Sequence, residues 1–203
     1  MALRLARLLS PTHKVKSVIR SSDHEEDIRN VSAIPVVLSL EDGTVSEFSA
    51  EFEEQDVVYF SAGAGGKGGD ERTKKIDYEG VVKVYDAIEA VKGVKPRLIL
   101  VSAVDIRDPE KIPTHYVRTY FLERKLDPLT NLYVQNEEDI AMSKRVRAAI
   151  PAYMHWRYEG DKNLVKRDDF KWTILRLGGL ANIPGTGKAS VGRTHVTSTI
   201  SVS

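Results

Sequence analysis

The chain has 203 residues, enough for one sizeable core, and its 30 Lys and Arg nearly balance its 29 Asp and Glu, which leaves a formal charge of +1. A balance so close to neutral gives no field that would attract nucleic acid or an anionic membrane, so neither is an expected partner. The absence of Cys excludes disulfides, thiolate nucleophiles and cysteine-ligated zinc, and the 5 His lack metal-ligand spacing, so we expect no metal site.

The amino-terminal segment predicts a short amphipathic helix. Residues 2–9 combine leucines with two arginines, and the run stops at Ser10-Pro11. The same basic composition is found in mitochondrial presequences, but the helix interpretation is favoured, and we expect a cytoplasmic protein. No apolar run approaches the roughly 20 residues of a membrane helix, so we expect no membrane span.

Strands and helices then alternate. Strands are predicted over residues 14–20, 34–40 and 56–62, with helices over residues 25–31 and 44–54 between them. The second strand contains the continuous apolar run Val36-Val37-Leu38. Such runs are typical of parallel strands that are buried on both faces.

The second half continues the alternation. Residues 72–92 predict a long helix, because Ile76, Gly80, Val84 and Ile88 recur at about one turn. A strand at 96–103, two helices at 137–150 and 152–166 separated by Pro151, and a last strand at 171–177 follow. Repeated strand–helix–strand units are right-handed, so the predicted fold is α/β, a doubly wound parallel sheet in one domain over residues 1–203.

In open parallel sheets, ligands bind beyond the carboxyl ends of the strands. After the first strand, Arg20 and Ser21 can hold the 2′-phosphate of NADP through charge-assisted hydrogen bonds, or they are a solvated arginine and a helix cap. After the third strand, the glycine tract, residues 61–69, has almost no side chains. It allows close approach of a flat or anionic ligand, or it is a flexible surface loop.

Three residues suggest redox chemistry. Ser102 comes directly after the apolar run 98–101, at the mouth of the presumed site, and Tyr153 lies one helical turn before Arg157. In reductases with this layout, a tyrosine phenol moves a proton, a nearby cation favours its ionised form, and a serine hydroxyl orients the carbonyl. The alternative is that Tyr153 and Arg157 are surface residues on one helix face.

Four segments in this order resemble the atypical short-chain dehydrogenases/reductases, in particular the NmrA-like, NAD(P)-binding group common in fungi. They are residues 57–69, the helix with Ile76-Asp77-Tyr78-Glu79-Gly80, residues 98–105, and residues 153–180. The resemblance implies a Rossmann fold that binds NADP or NAD, with Ser102, Tyr153 and Arg157 at the serine, tyrosine and lysine positions. The expected cofactor-binding residues lie after the strands and are Arg20, Ser21, Leu40, Ser61, Ala62, Gly63, Ala64 and Gly178.

The chain also departs from this family. The family begins with a strand and a Gly-x-x-Gly-x-x-Gly loop that binds pyrophosphate, whereas residues 2–9 resemble the helix after that loop. We therefore expect the first, central strand to be absent between the strands 14–20 and 56–62, which would weaken cofactor binding and leave edges that a homodimer could fill. Arg157 in place of lysine, Leu177 in place of proline and Ser39 in place of aspartate each weaken a cofactor contact.

Residues 117–135 form an unusual insertion relative to the same family. They are either a retained intron or an ordinary surface loop. For the chain as a whole, three functions stay open: an NADP-dependent oxidoreductase acting on a small molecule, a non-catalytic nucleotide-sensing interaction protein on the same fold, and a truncated product without activity.

Overall fold

A computed structural model describes residues 2–66, 68–108, 110, 137–178 and 180–181, together with the short strand segments 117–119, 133–135 and 200–201. The helices are α1 (Ala2–Leu9), α2 (Glu25–Arg29), α3 (Val45–Phe52), α4 (Gly69–Lys74), α5 (Val81–Ala90), α6 (Glu137–Ala149) and α7 (Pro151–Leu164). The strands are β1 (Lys16–Ile19), β2 (Ile34–Val37), β3 (Val57–Phe60), β4 (Arg97–Ala103), β5 (Val117–Thr119), β6 (Tyr133–Gln135), β7 (Trp172–Leu177), β8 (Leu180–Ala181) and β9 (Ile200–Ser201). The predicted α/β fold class is confirmed.

The main strands are parallel and fall into two sheets. Strand β4 lies between β3 and β7, with Leu100 opposite Phe60 on one side and Ile174 on the other. Strands β1 and β2 form a separate pair, in which Val18 is opposite Val36. All five strands are those that the sequence predicts, and each is shorter than predicted at one or both ends.

The core lies on one face of the three-stranded sheet. Leu98 and Leu100 of β4 are fully buried, and α5 covers them with apolar side chains that include Val84 and Ile88. The opposite face is less covered, since Tyr59 and Leu175 are each 42% exposed. Period-two alternation along a strand explains the difference between the faces.

In the described residues, β1 and β3 do not pair, and contacts outside the strands join the two sheets. Lys16 of β1 forms a 3.0 Å ion pair with Glu51 of α3. The Leu40 carbonyl, just after β2, accepts a 2.8 Å hydrogen bond from the Lys83 ammonium. These contacts hold the carboxyl end of β2 beside α5.

The helix predicted over residues 72–92 differs from the observed one. It begins at Gly69 and contains a wider turn of π-helix at Lys75–Gly80, here called the π turn, before α5 continues. Short π segments are rare and often occur at functional sites. The π turn carries Asp77, which is central to the site described below.

The insertion begins and ends in a two-stranded antiparallel stem. Strand β5 pairs with β6, and Val117, the first residue of the insertion, is directly opposite Gln135, the last. Paired positions of antiparallel strands lie about 5 Å apart, close to the ~3.8 Å between consecutive Cα atoms.

We therefore expect deletion of residues 117–135 to leave the fold and its thermal unfolding temperature essentially unchanged. Because the chain enters and leaves the insertion at neighbouring points, rejoining it needs only a local adjustment of the backbone. Circular dichroism and a thermal melt of both versions measure the effect. A deletion variant that no longer unfolds cooperatively would show that the segment is part of the core.

Candidate functional site

The site is built around one side of α7, where it packs against the π turn and the carboxyl end of β3. Tyr153, Arg157 and Asp161 follow at intervals of four residues and therefore share one stripe of the helix. Tyr153 is half-buried, whereas Arg157 and Asp161 are buried. The stripe thus runs from the accessible edge of the site into the core.

Arg157 connects the helix to the glycine tract. Its side chain is 3% exposed, and its Nη2 atom donates a 2.9 Å hydrogen bond to the Ala62 carbonyl. The same Nη2 atom lies 3.1 Å from Oδ1 of Asp77 in a buried ion pair. Its guanidinium carbon is 5.5 Å from the centre of the Tyr153 ring, so the positive charge is next to the tyrosine.

Asp77 is fully buried and contacts the same tract. Its Oδ2 atom accepts a 3.1 Å hydrogen bond from the Ala64 backbone N–H. Burial raises the pKa of the Asp77 carboxyl, and the neighbouring Arg157 charge and the Ala64 hydrogen bond oppose the rise. Asp77 and Arg157 together hold the backbone on both sides of Gly63.

Two glycines allow this close packing. A Cβ atom on Gly160 would lie 3.0 Å from a Val81 methyl and 3.4 Å from the Asp77 carbonyl, so α7 approaches the π turn closely only because residue 160 is Gly. A Cβ atom on Gly63 would lie 3.0 Å from Oδ1 of Asp77. A side chain at residue 63 would press on the Asp77 carboxylate, and a side chain at residue 160 would press on Val81 of α5.

Ser102 points towards the interior. It shares a face of β4 with Leu98 and Leu100, and its hydroxyl donates a 3.1 Å hydrogen bond to Asp161. Asp161 also forms a 3.2 Å ion pair with Arg176 of β7. Burial raises the pKa of the Asp161 carboxyl above its ordinary value of 3.8, although Arg176 and the Ser102 hydroxyl partly oppose this.

We expect the stability of Asp161→Asn relative to the unmodified chain to increase as the pH rises above 3.8, and then to level off. A carboxyl whose pKa is raised by folding binds more protons in the native state, so its contribution to stability falls with rising pH between the unfolded and folded pKa values. Asparagine does not titrate and lacks this loss. Urea unfolding of both proteins at a series of pH values measures the relative stability. A stability of Asp161→Asn that falls relative to the unmodified chain as the pH rises would contradict the assignment.

The structure brings the predicted residues together in part. Ser61, Ala62, Gly63 and Ala64 adjoin the Arg157–Asp77 pair, and Gly178 follows β7 at the same edge of the sheet. Arg20 and Ser21 follow β1 in the other sheet; Arg20 is exposed and has no polar partner within the described residues, and Ser21 donates to Asp23. The Leu40 side chain packs against the core, while its backbone carbonyl accepts the hydrogen bond from Lys83.

The sequence interpretation missed Asp77 and Asp161. Acidic residues in helices are usually solvated, which hid both of them. A signal was nevertheless present, because Asp161 lies four residues after Arg157 and Asp77 falls among the apolar positions of its helix.

The buried groups leave hydrogen-bonding capacity for a ligand. Within the described residues, five buried side-chain atoms have no hydrogen-bond partner: Nε and Nη1 of Arg157, Oδ1 of Asp161, the Tyr85 hydroxyl, and Oδ1 of Asp77, which has only its ion pair with Arg157. Buried polar groups normally have partners, so such atoms need an explanation. Among glycines of the tract, Gly65, Gly66 and Gly69 have positive φ and open space around the Cβ position. These features fit a polar ligand that lies along the tract and beside Arg157.

Two other kinds of site were sought in the described part of the chain. It contains no group of three or more His, Cys, Asp or Glu that could hold a metal ion. It also contains no helix that is long and apolar enough to cross a membrane.

Comparison with known proteins identifies the family. The model of the NAD(P)H-binding family matches residues 2–203. UPF0659 protein C216.03 of Schizosaccharomyces pombe is 39% identical over 188 residues, which are 91% of this chain and 68% of that protein. The uncharacterized sugar epimerase YhfK of Bacillus subtilis is 27% identical over 184 residues, with the same two coverages of 91% and 68%.

Solved structures agree with this result. A Bacillus halodurans protein, named provisionally as an NAD-dependent epimerase/dehydratase, has a TM-score of 0.69 and 26% identity, and the match covers 98% of this chain and 76% of that one. The expected Rossmann-like fold and a nicotinamide dinucleotide as the cofactor class are therefore confirmed. The chain belongs to the NAD(P)H-binding family.

Proposed function

We propose that this protein is an NADP-dependent oxidoreductase of the atypical short-chain dehydrogenase/reductase type. The observation that carries the proposal is the position of Arg157, which lies beside the Tyr153 ring and bonds the Ala62 carbonyl of the glycine tract. This arrangement joins a candidate proton donor to a candidate cofactor-binding loop through one buried cation.

Each residue has a distinct role in the proposal. Tyr153 gives a proton to the substrate oxygen, or removes one in the opposite direction. Arg157 places its positive charge beside the Tyr153 ring, and its Nε and Nη1 atoms are proposed to contribute to cofactor binding because they have no hydrogen-bond partner within the described residues. When bound, a nicotinamide cofactor supplies or accepts the hydride. Ser102 is the proposed orienting residue, although its hydroxyl hydrogen is directed to Asp161 here.

We also propose that the affinity for the cofactor is low in this structure, in which no strand lies between β1 and β3 within the described residues. A pyrophosphate needs oriented backbone N–H donors, which a strand and glycine loop between β1 and β3 would supply in this fold. Within the described residues, no glycine-rich loop lies between these two strands.

The test is calorimetric titration with NADPH of this chain and of an extended version that carries an added amino-terminal strand and glycine loop. The extended version should bind at least about tenfold more tightly, the factor expected for one or more charge-assisted hydrogen bonds. Equal affinities in the micromolar range or tighter would contradict the impairment. Absence of binding in both versions would refute the proposed function.

We expect Arg20→Gln to weaken NADPH binding by about tenfold and to leave NADH binding unchanged. Arg20 is exposed just after β1. In Arg20→Gln, the ion pair between the guanidinium and the 2′-phosphate would be lost, and only NADPH carries this phosphate. Titration of both variants with both cofactors measures the ratio. Arg29→Gln is the matched control, because Arg29 is also exposed but pairs with Glu25. An equal loss for NADPH and NADH would contradict a role in selecting the phosphate.

One observation favours a second function, a non-catalytic nucleotide-sensing protein. Because Ser102 donates to Asp161, its hydroxyl hydrogen is not directed at a substrate. A sensor would bind the dinucleotide without turnover of any carbonyl compound. Steady-state assays with NADPH and a panel of aldehydes, ketones and sugar nucleotides separate the two functions.

The edges of β1 and β3 that have no neighbouring strand also support a homodimer. In it, a strand of a second copy would lie between β1 and β3 and form hydrogen bonds with their edges. Light scattering at several concentrations tests this proposal, and a monomeric mass throughout would contradict it. We propose the cytoplasm as the compartment, to be checked by imaging a fluorescent fusion.

A further inference from the structure

We propose that Asp77 is a positioning residue that fixes the glycine tract at Ala62–Ala64 in the shape that receives the cofactor. The inference rests on the proposed function, because the tract is a cofactor loop only if the protein binds NAD(P)H there. The juxtaposition that carries it is one buried carboxylate between the Arg157 guanidinium and the Ala64 N–H.

The two oxygens of Asp77 have separate partners. Oδ2 accepts from the Ala64 N–H, and Oδ1 faces Nη2 of Arg157, which in turn donates to the Ala62 carbonyl. The backbone is therefore held immediately before and immediately after Gly63. Residues of an unheld glycine-rich loop would sample many conformations, and ordering them on binding costs free energy.

The geometry of the surrounding helices brings Asp77 to this contact. The π turn widens the helix at Asp77, and Gly160 lets α7 come within contact distance of the Asp77 carbonyl. Arg157 lies three residues before Gly160, so the close approach brings its guanidinium to the carboxylate. A longer residue at position 77 does not fit, because the Asp77 side chain is fully buried.

The informative variant is Asp77→Asn, which keeps the size of the side chain. An amide has one acceptor oxygen, so it can serve Arg157 or the Ala64 N–H but not both. Glu79→Gln is the matched control, because Glu79 lies on the same π turn but is exposed and paired with Lys74. Hydrogen–deuterium exchange of the full chain reports how firmly Asp77 holds the backbone on both sides of Gly63, here called the lock. Titration with NADPH into the millimolar range reports how the lock affects cofactor binding.

In Asp77→Asn we expect amide exchange in residues 61–66 to accelerate by about tenfold, the factor for one lost charge-assisted hydrogen bond, while α5 and β4 exchange as in Glu79→Gln. NADPH affinity should fall by about the same factor. In the double variant Asp77→Asn/Arg157→Gln, the loss in NADPH binding free energy should be smaller than the sum of the two single losses, because both changes weaken the contact between residues 77 and 157.

Several results would overturn the proposal. Unchanged exchange in residues 61–66 would show that Asp77 does not hold the tract. Equal acceleration throughout α5 and β4 would show a general stabilising role instead of positioning. A loosened tract with unchanged NADPH affinity would remove the link to the cofactor. If the unmodified chain binds no NADPH, the proposed function and that link fail together, and the exchange comparison still decides whether the lock exists.

Discussion

Replacement of Arg157 by Met is expected to lower the free energy of unfolding by about 3–5 kcal/mol, which is a large part of the stability of a typical domain. Methionine has a similar length but no charge, so Asp77 would keep a buried carboxylate without its ionic partner. Burial already raises the pKa of this carboxyl, and loss of Arg157 removes the charge that opposes the rise. Urea unfolding followed by circular dichroism measures the change.

A double variant makes this prediction specific. Asp77→Leu combined with Arg157→Met removes both charges, and pairs replaced by apolar residues of similar volume often recover the stability. We therefore expect the double variant to be clearly more stable than Arg157→Met alone. Arg29→Met, which removes an exposed pair with Glu25, should change stability by less than about 1 kcal/mol. A double variant that is no more stable than Arg157→Met would show that the unpaired Asp77 carboxylate is not what destabilises the single variant.

Much of the fold follows from local sequence patterns. The bounds of α1 agree with the prediction because Ser10-Pro11 ends the amphipathic run. The predicted main strands are all found, and β2, β3 and β4 are marked most clearly because they contain continuous apolar runs. The π turn could not be predicted in this way. Its apolar residues keep a spacing close to one α-helical turn, so the additional residue in the turn leaves no clear mark on the pattern.

The candidate site was predictable only where its residues share one element. Tyr153 and Arg157 are four residues apart, so their proximity follows from helix geometry alone. The partner of Arg157 is 80 residues away in sequence at Asp77, and only the packing of α7 on the π turn brings the two together. Contacts of this kind depend on Gly160, whose importance is not visible in a single sequence.

The inward orientation of Ser102 could have been predicted from strand alternation. The serine was assigned to the correct strand and to its carboxyl half. Strand alternation places residue 102 on the same face as Leu98 and Leu100, and both of these belong to the core. The alternation therefore predicts an inward hydroxyl, and the buried acceptor Asp161 completes the arrangement.

The contacts of Arg157 suggest why an arginine is present at the position where the family resemblance predicts a lysine. A lysine has a single ammonium group, whereas the guanidinium contacts Asp77 and the Ala62 carbonyl while two further nitrogen atoms remain without a partner. The guanidinium therefore bridges the π turn and the glycine tract. A buried arginine needs a buried carboxylate, and this requirement connects the exchange to Asp77.

Removal of the Tyr153 hydroxyl is expected to have the largest effect on activity. Tyr153→Phe keeps the ring beside the Arg157 guanidinium, 5.5 Å from its carbon, and removes only the hydroxyl that we propose as the proton donor. For any substrate that the unmodified protein reduces, turnover should fall by about 10²–10⁴-fold, with NADPH affinity unchanged. Loss of NADPH absorbance measures turnover across the panel of aldehydes, ketones and sugar nucleotides.

The matched control is Tyr158→Phe, which lies on the same helix beside Lys162 and away from the Arg157 contact. Its turnover should equal that of the unmodified protein. Equal turnover in Tyr153→Phe would exclude the tyrosine as the proton donor while leaving the fold and the cofactor class intact. NADPH binding without turnover of any substrate by the unmodified protein would instead favour the nucleotide-sensing function. In that case, the buried hydroxyl of Ser102 and the charge of Arg157 would serve only binding and stability.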